Sequence, residues 1–131
     1  MGSALGKALD LTGFADVLKN YQAFSGSALY SIAFAVTGFE FLLGAWILSG
    51  RHLTTSAMTA AVMNVVYAGW MTVTLLRGLN LDNCGCFGVF FPRPLKWFSP
   101  IEDLVMVALC VLLAYVARSA SIQAPLTQVQ K

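Results

Sequence analysis

Charge is what this chain has least of. Eight Lys and Arg and six Asp and Glu make 11% of the 131 residues, while 58% are apolar; a soluble domain carries about 25% charged residues to cover its outside. That deficit excludes an ordinary water-facing globule and implies lipid as the solvent. The basic residues Lys7, Lys19, Arg51, Arg77, Arg93, Lys96, Arg118 and Lys131 are scattered along the sequence, and the formal net charge is only +2. No patch is left that could track phosphates, which argues against nucleic acid as a partner. A signal peptide is not read at the start, because no basic stretch leads into an apolar core and a small-residue cleavage site. Internal repeats and low-complexity tracts are also missing.

What is present is three long apolar runs. A bilayer core about 30 Å thick is crossed by about 20 mostly apolar residues in a helix. The run Ala28 to Leu48 contains one charge, Glu40, and the run Ser56 to Leu76 contains none. Leu104 to Ala117 is short alone, but Ser99-Pro100-Ile101-Glu102 ahead of it reads as a capping box with proline at the first helical position, which lengthens the helix enough to span. Trp97, Phe98 and Arg118 flank it as interfacial anchors. The expected organisation is an all-α integral membrane helical bundle with three transmembrane helices. A single transmembrane domain covers 1–118, with spans at about 28–49, 56–77 and 100–118, followed by a polar, frayed tail at 119–131.

The first 27 residues are interrupted by Lys7, Asp10, Asp16 and Lys19 and do not span. Phe14, Val17, Leu18 and Tyr21 recur at i, i+3, i+4 and i+7 after Thr12, a possible cap, so this stretch reads as a short amphipathic helix in the interface or as a packed loop. Three crossings put the N-terminal segment and the Leu79 to Lys96 loop on one side, and the Arg51/His52 loop and the C-terminus on the other. Lys7, Lys19, Arg77, Arg93 and Lys96 against Arg51, Arg118 and Lys131 weakly favour the first side as cytoplasmic on the positive-inside rule. Cysteine chemistry points the other way.

Asn83-Cys84-Gly85-Cys86-Phe87-Gly88 lies between two spans, in a loop that its glycines make sharply bendable. Thiols two residues apart can just reach disulfide distance. The small ring they close is strained and readily reduced, which suits exchange; an inert disulfide and a metal pair are the other readings. Two thiolates fall short of the four ligands of a structural zinc site, and the only histidine, His52, is on the opposite face. Metal ligands and a cofactor are not read from the sequence. Cys110, mid-helix among apolar residues, reads as a small hydrophobe.

Within the bilayer, Glu40 lies about 18 Å along its helix from Ala28, near mid-membrane, where a carboxyl is a functional-site hypothesis by default. Ala33, Thr37, Glu40 and Gly44 share its face, small enough for a neighbouring helix to approach closely. The next helix carries a similar stripe, Ala57, Ala61, Asn64, Ala68 and Thr72, with Asn64 nearly level with Glu40. The pattern predicts that Glu40 bonds to Asn64, or to another polar group, across a helix interface and does not face lipid. Lipid favours the neutral, donating form of such a carboxyl, in a role of helix adhesion or proton handling.

The loop Asn83-Cys84-Gly85-Cys86-Phe87-Gly88, the Pro/Trp stretch after it, Gly6-Lys7 with Phe14 to Tyr21, and Phe39-Glu40-Phe41 with Gly44 together resemble the MauE branch of the DoxX-like membrane proteins, over residues 2 to 118. The resemblance implies a four-helix membrane protein of the bacterial cytoplasmic (inner) membrane, with Cys84 and Cys86 as a periplasmic redox pair. The implied chemistry is thiol-disulfide exchange or electron delivery to a periplasmic partner, such as a maturing disulfide-rich dehydrogenase. Almost nothing precedes Gly6, so the family's first helix is expected to be missing or reduced to the amphipathic segment, its place filled by a neighbouring subunit. Besides lipid, other membrane or periplasmic subunits are therefore the expected partners. The alternative is a non-catalytic accessory subunit that stabilises a larger membrane complex.

Overall fold

In the computed structural model of the protein, the described residues are 2–22, 24–85, 90 and 92–129, with the backbone alone at 3 and 124–129. Among the described residues five helices follow one another: α1 (Gly2–Leu9), α2 (Leu11–Asn20), α3 (Ala28–Leu48), α4 (Leu53–Leu76) and α5 (Phe98–Val129). The last three supply the helices long and apolar enough to cross a membrane, Ala28–Leu48, Leu53–Leu76 and Phe98–Gln123. Their outward faces carry large apolar residues such as Phe34, Leu42, Val62, Val66, Leu112 and Tyr115, as lipid contact requires.

Packing among the spans is uneven. The most extensive interface joins α4 to α5, whereas α3 packs mainly against α2 and α1 and meets α4 only slightly. Small side chains permit these close approaches: Ala33 on α3, Ala57, Ala61 and Ala68 on α4, and Ala114 on α5 are all buried. The two stripes read from the sequence do face inward, but α1 and α2 wedge against α3.

That wedge changes the reading of the N-terminal segment. The apolar face of α2 does not lie in the membrane interface; Phe14, Val17 and Tyr21 turn into the bundle and are buried. The helix is capped by Asp10, whose carboxylate accepts a hydrogen bond from the Gly13 N–H at 2.8 Å, and not by Thr12. Asp10 wins because it sits at the break between α1 and α2, where unsatisfied N–H groups need an acceptor. Lys7 on α1 is only 3% exposed. It is therefore a charge inside the bundle, not one of the basic residues at the membrane surface.

Two differences concern α5. The helix starts at Phe98, so Ser99 lies inside it, and both Glu102 carboxylate oxygens are taken by the Arg93 guanidinium, at 3.0 and 3.1 Å, and not by a capping box. Bidentate pairing with a guanidinium is a stronger use of that carboxylate than a return bond to a backbone N–H. Towards the C-terminus the helix runs on to Val129, through the stretch expected to fray. No glycine is available beyond Ala117 to terminate it.

Candidate functional site

The segment that carries Cys84 is folded down onto the end of the bundle. The Cys84 N–H donates to the Arg93 carbonyl and the Leu95 N–H to the Leu81 carbonyl, both at 2.8 Å, so the strands of the loop entering and leaving the cysteine region hold each other. The hydroxyl of Tyr21, at the end of α2, donates to the Cys84 carbonyl at 2.6 Å. Cys84 is 9% exposed and packs with Val17, Tyr21, Met71, Leu81 and Leu95, with Tyr67 and Leu75 alongside. Cys86, the second member of the sequence-read pair, lies outside the described residues, as do Phe87 and Gly88.

Gly85 makes this packing possible. Its φ of +77° is in the left-handed region, and a Cβ placed on it would lie 3.0 Å from Val17 Cγ1 and 3.1 Å from Phe14 Cε2. Only glycine combines that backbone geometry with that approach to α2. The Asn83 side-chain carbonyl accepts from the Gly85 N–H at 2.9 Å and tightens the turn.

Below the loop is a buried charge. Lys7 Nζ lies 2.6 Å from Glu40 Oε1, and the Tyr67 hydroxyl donates to the same oxygen at 2.7 Å. The two charged side chains are 4% and 9% exposed. Glu40 Oε1 is thus the acceptor in both contacts. Lys7 Nζ also stands 5.0 Å from the centroid of the Phe14 ring and 5.6 Å from that of Tyr67, close enough for the aromatic faces to share in holding the ammonium.

Of the two expectations for Glu40, Asn64 as partner is not met, whereas a bond to another polar group across the helix interface is, through Tyr67. The Asn64 amide donates to the Ala60 carbonyl of its own helix at 2.8 Å. With α3 and α4 in slight contact, a short amide side chain is satisfied locally by the carbonyl one turn back, whereas the longer phenol of Tyr67, three residues on, reaches Glu40. Two buried polar atoms among the described residues have no hydrogen-bond partner, Thr37 Oγ1 and Asp103 Oδ2. Thr37 is one turn before Glu40 on α3, and Asp103 is in the first turns of α5.

Phe14 ties the two features together, since one edge of its ring meets Gly85 and its face meets Lys7. Tyr67 does so a second time, packing against the cluster that holds Cys84 while bonding Glu40. Lys7 and Tyr67 were missed in the sequence. The one available signal was that a mid-membrane carboxylate needs a cation, and nothing in the spacing chose Lys7 from the other basic residues. Cys110 is half-buried on α5, and His52 is exposed at the start of α4. No group of three or more His, Cys, Asp or Glu among the described residues is placed to hold a metal ion.

Comparison with known proteins gives the chain a family. No solved structure matches it. The methylamine utilization protein MauE of Paracoccus denitrificans is 25% identical over 128 residues, a match that covers 98% of this chain and 68% of that protein. The family described as methylamine utilisation protein MauE matches residues 1–116, from α1 through the three spans, and the chain belongs to that family.

Proposed function

We propose that this membrane protein serves a methylamine-utilisation system by thiol-disulfide exchange at Cys84 and Cys86 with a protein partner on the periplasmic side. The observation that carries the reading is the construction around Cys84. A backbone bridge, a buried tyrosine bond and a glycine that α2 leaves no room to replace fix one cysteine at the membrane end of the bundle. Burial of Cys84 leaves the first contact with a partner's sulfur to Cys86. In the oxidised pair, a partner thiolate attacks the Cys86 sulfur, the Cys84 thiolate leaves, and a mixed disulfide forms. The partner's second thiolate then attacks its own sulfur in that bond and releases Cys86. The partner ends oxidised by two electrons and the pair ends as a dithiol; the reverse sequence delivers electrons to a partner disulfide.

Orientation follows from the same chemistry, because an exchanging disulfide belongs in an oxidising compartment. The objection from basic residues is reduced by the fold. Lys7 is withdrawn into the bundle. That leaves Lys19, Arg77, Arg93 and Lys96 against Arg51, Arg118 and Lys131, an excess of one on the loop side.

Burial of Cys84 also favours a second reading, an accessory subunit in which the loop is purely structural and the protein stabilises a larger membrane complex. Replacement of both cysteines by serine separates the two. Exchange requires sulfur, so loss of function in the inserted, folded double variant supports the redox reading. Full function in that variant moves the assignment to the accessory subunit.

A further inference from the structure

A polar cleft of about 690 Å³ lies beside the Cys84 turn, with Asp16, Lys19, Asn20 and Gln22 on its α2 side and residues 79–83, which follow α4, on the other. It adjoins the seat of the cysteine. Leu81 in its wall belongs to the cluster that buries Cys84, and Asn83 holds the Gly85 N–H at 2.9 Å. The lining has no aromatic ring, and it sets two carboxylates against one ammonium, a poor match for a flat apolar ligand or a phosphate. Asn20, Gln22 and Asn80 bring carboxamides, which offer a donor and an acceptor together, as a peptide main chain requires. Asp16 and Asp82 are exposed and enter no ion pair among the described residues. Gln22 has a φ of 54°, the left-handed conformation in which glycine commonly follows a helix. Glutamine there costs the fold stability and gives the cleft a carboxamide.

We propose that this cleft docks the polypeptide segment flanking the reacting cysteine of the exchange partner, with the carboxamides on its main chain and a lysine or arginine of the segment against Asp16 and Asp82. The identity of the occupant rests on the exchange reading given above. The cleft supplies what a Cys-Gly-Cys turn lacks by itself, a surface that selects which sulfur is presented to Cys86.

The test uses the full chain in lipid, mildly reduced, and two synthetic peptides of equal length whose single cysteine carries a thiopyridyl disulfide. Serine, asparagine and lysine flank the cysteine in one; glutamate replaces lysine in the other. The Cys86 thiolate attacks the peptide sulfur and releases thiopyridone, whose absorbance gives the rate; the Cys84 thiolate then attacks Cys86 and frees the peptide thiol. Each rate is divided by that of dithiodipyridine with the same variant. At low salt the lysine peptide is expected to react about fivefold faster than the glutamate peptide, the scale of two exposed charge pairs. Asp16→Asn combined with Asp82→Asn should abolish the preference. Gln22→Gly should slow both peptides several-fold while melting no lower than wild type, so its effect cannot come from unfolding. Equal rates for the two peptides in wild type overturn the proposal, as does a preference that survives the aspartate replacements or peptide rates untouched by Gln22→Gly. If dithiodipyridine also fails to react, the exchange reading has failed, and fluorescence anisotropy of the same peptides with serine for cysteine decides the cleft. Tighter binding of the lysine peptide, lost in the same variants, upholds it; equal or absent binding removes it.

Discussion

Lys7 and Glu40, separated by 33 positions in the sequence, meet at 2.6 Å inside the bundle. The contact fastens α1 to the middle of a membrane span, and it brings Phe14 and α2 into the position that seats the cysteine loop. The consequences fall on stability, on the loop and on accessibility.

Glu40→Leu is expected to destabilise the protein by about 3 kcal/mol, because it leaves the Lys7 ammonium buried without its counter-charge. Asn64→Leu, which removes only a bond within α4, should cost about 1 kcal/mol or less. Thermal unfolding of the two variants in the same detergent gives the comparison. Equal losses would show that Asn64 takes part in the Glu40 interface after all.

Gly85→Ala should cost about 2 kcal/mol through the left-handed backbone and the overpacking against Val17 and Phe14. Val17→Ala in the same chain removes the nearer obstruction, at 3.0 Å, and should recover part of the loss. A Gly85→Ala variant as stable as wild type would show that the loop does not seat on α2.

Tyr21→Phe removes the hydroxyl bonded to the Cys84 carbonyl and is expected to cost about 1 kcal/mol. Its clearer signature is kinetic. After mild reduction, Cys84 in the Phe variant should react with a maleimide several-fold faster than in wild type. No change in rate would mean that the backbone bridge to Arg93 alone holds the loop.

For orientation, a membrane-impermeant maleimide applied to intact, mildly reduced cells should label Cys86 first and the buried Cys84 slowly. Cys110, within a span, should stay unlabelled. Labelling that appears only after lysis would place the loop in the cytoplasm and remove the compartment on which the exchange reading relies.

How much of this was legible in the sequence depended on the range of the interactions concerned. The three spans were written in local hydropathy, because lipid makes about 20 consecutive apolar residues the requirement for crossing. Hydropathy also marked Glu40 as exceptional, and the small-residue stripes correctly named the inward faces of α3 and α4. What no local pattern contains is which interfaces form. The stripes on α3 and α4 matched on paper, yet α4 gave most of its packing to α5, and α1 with α2 occupied the face of α3 that Asn64 was expected to meet. The partners of Glu40 were decided by that arrangement: a lysine from beyond the break at Asp10 and a phenol long enough to reach across. Burial of Cys84 was decided in the same way, since the Cys-Gly-Cys pattern announces sulfur chemistry but only the seat on Phe14 and Val17 determines which side of the loop faces inward. The sequence by itself determined the solvent, the spans and the chemically unusual residues; the tertiary structure alone determined which of those residues touch, because helix pairing in lipid is governed by surface fit between distant segments.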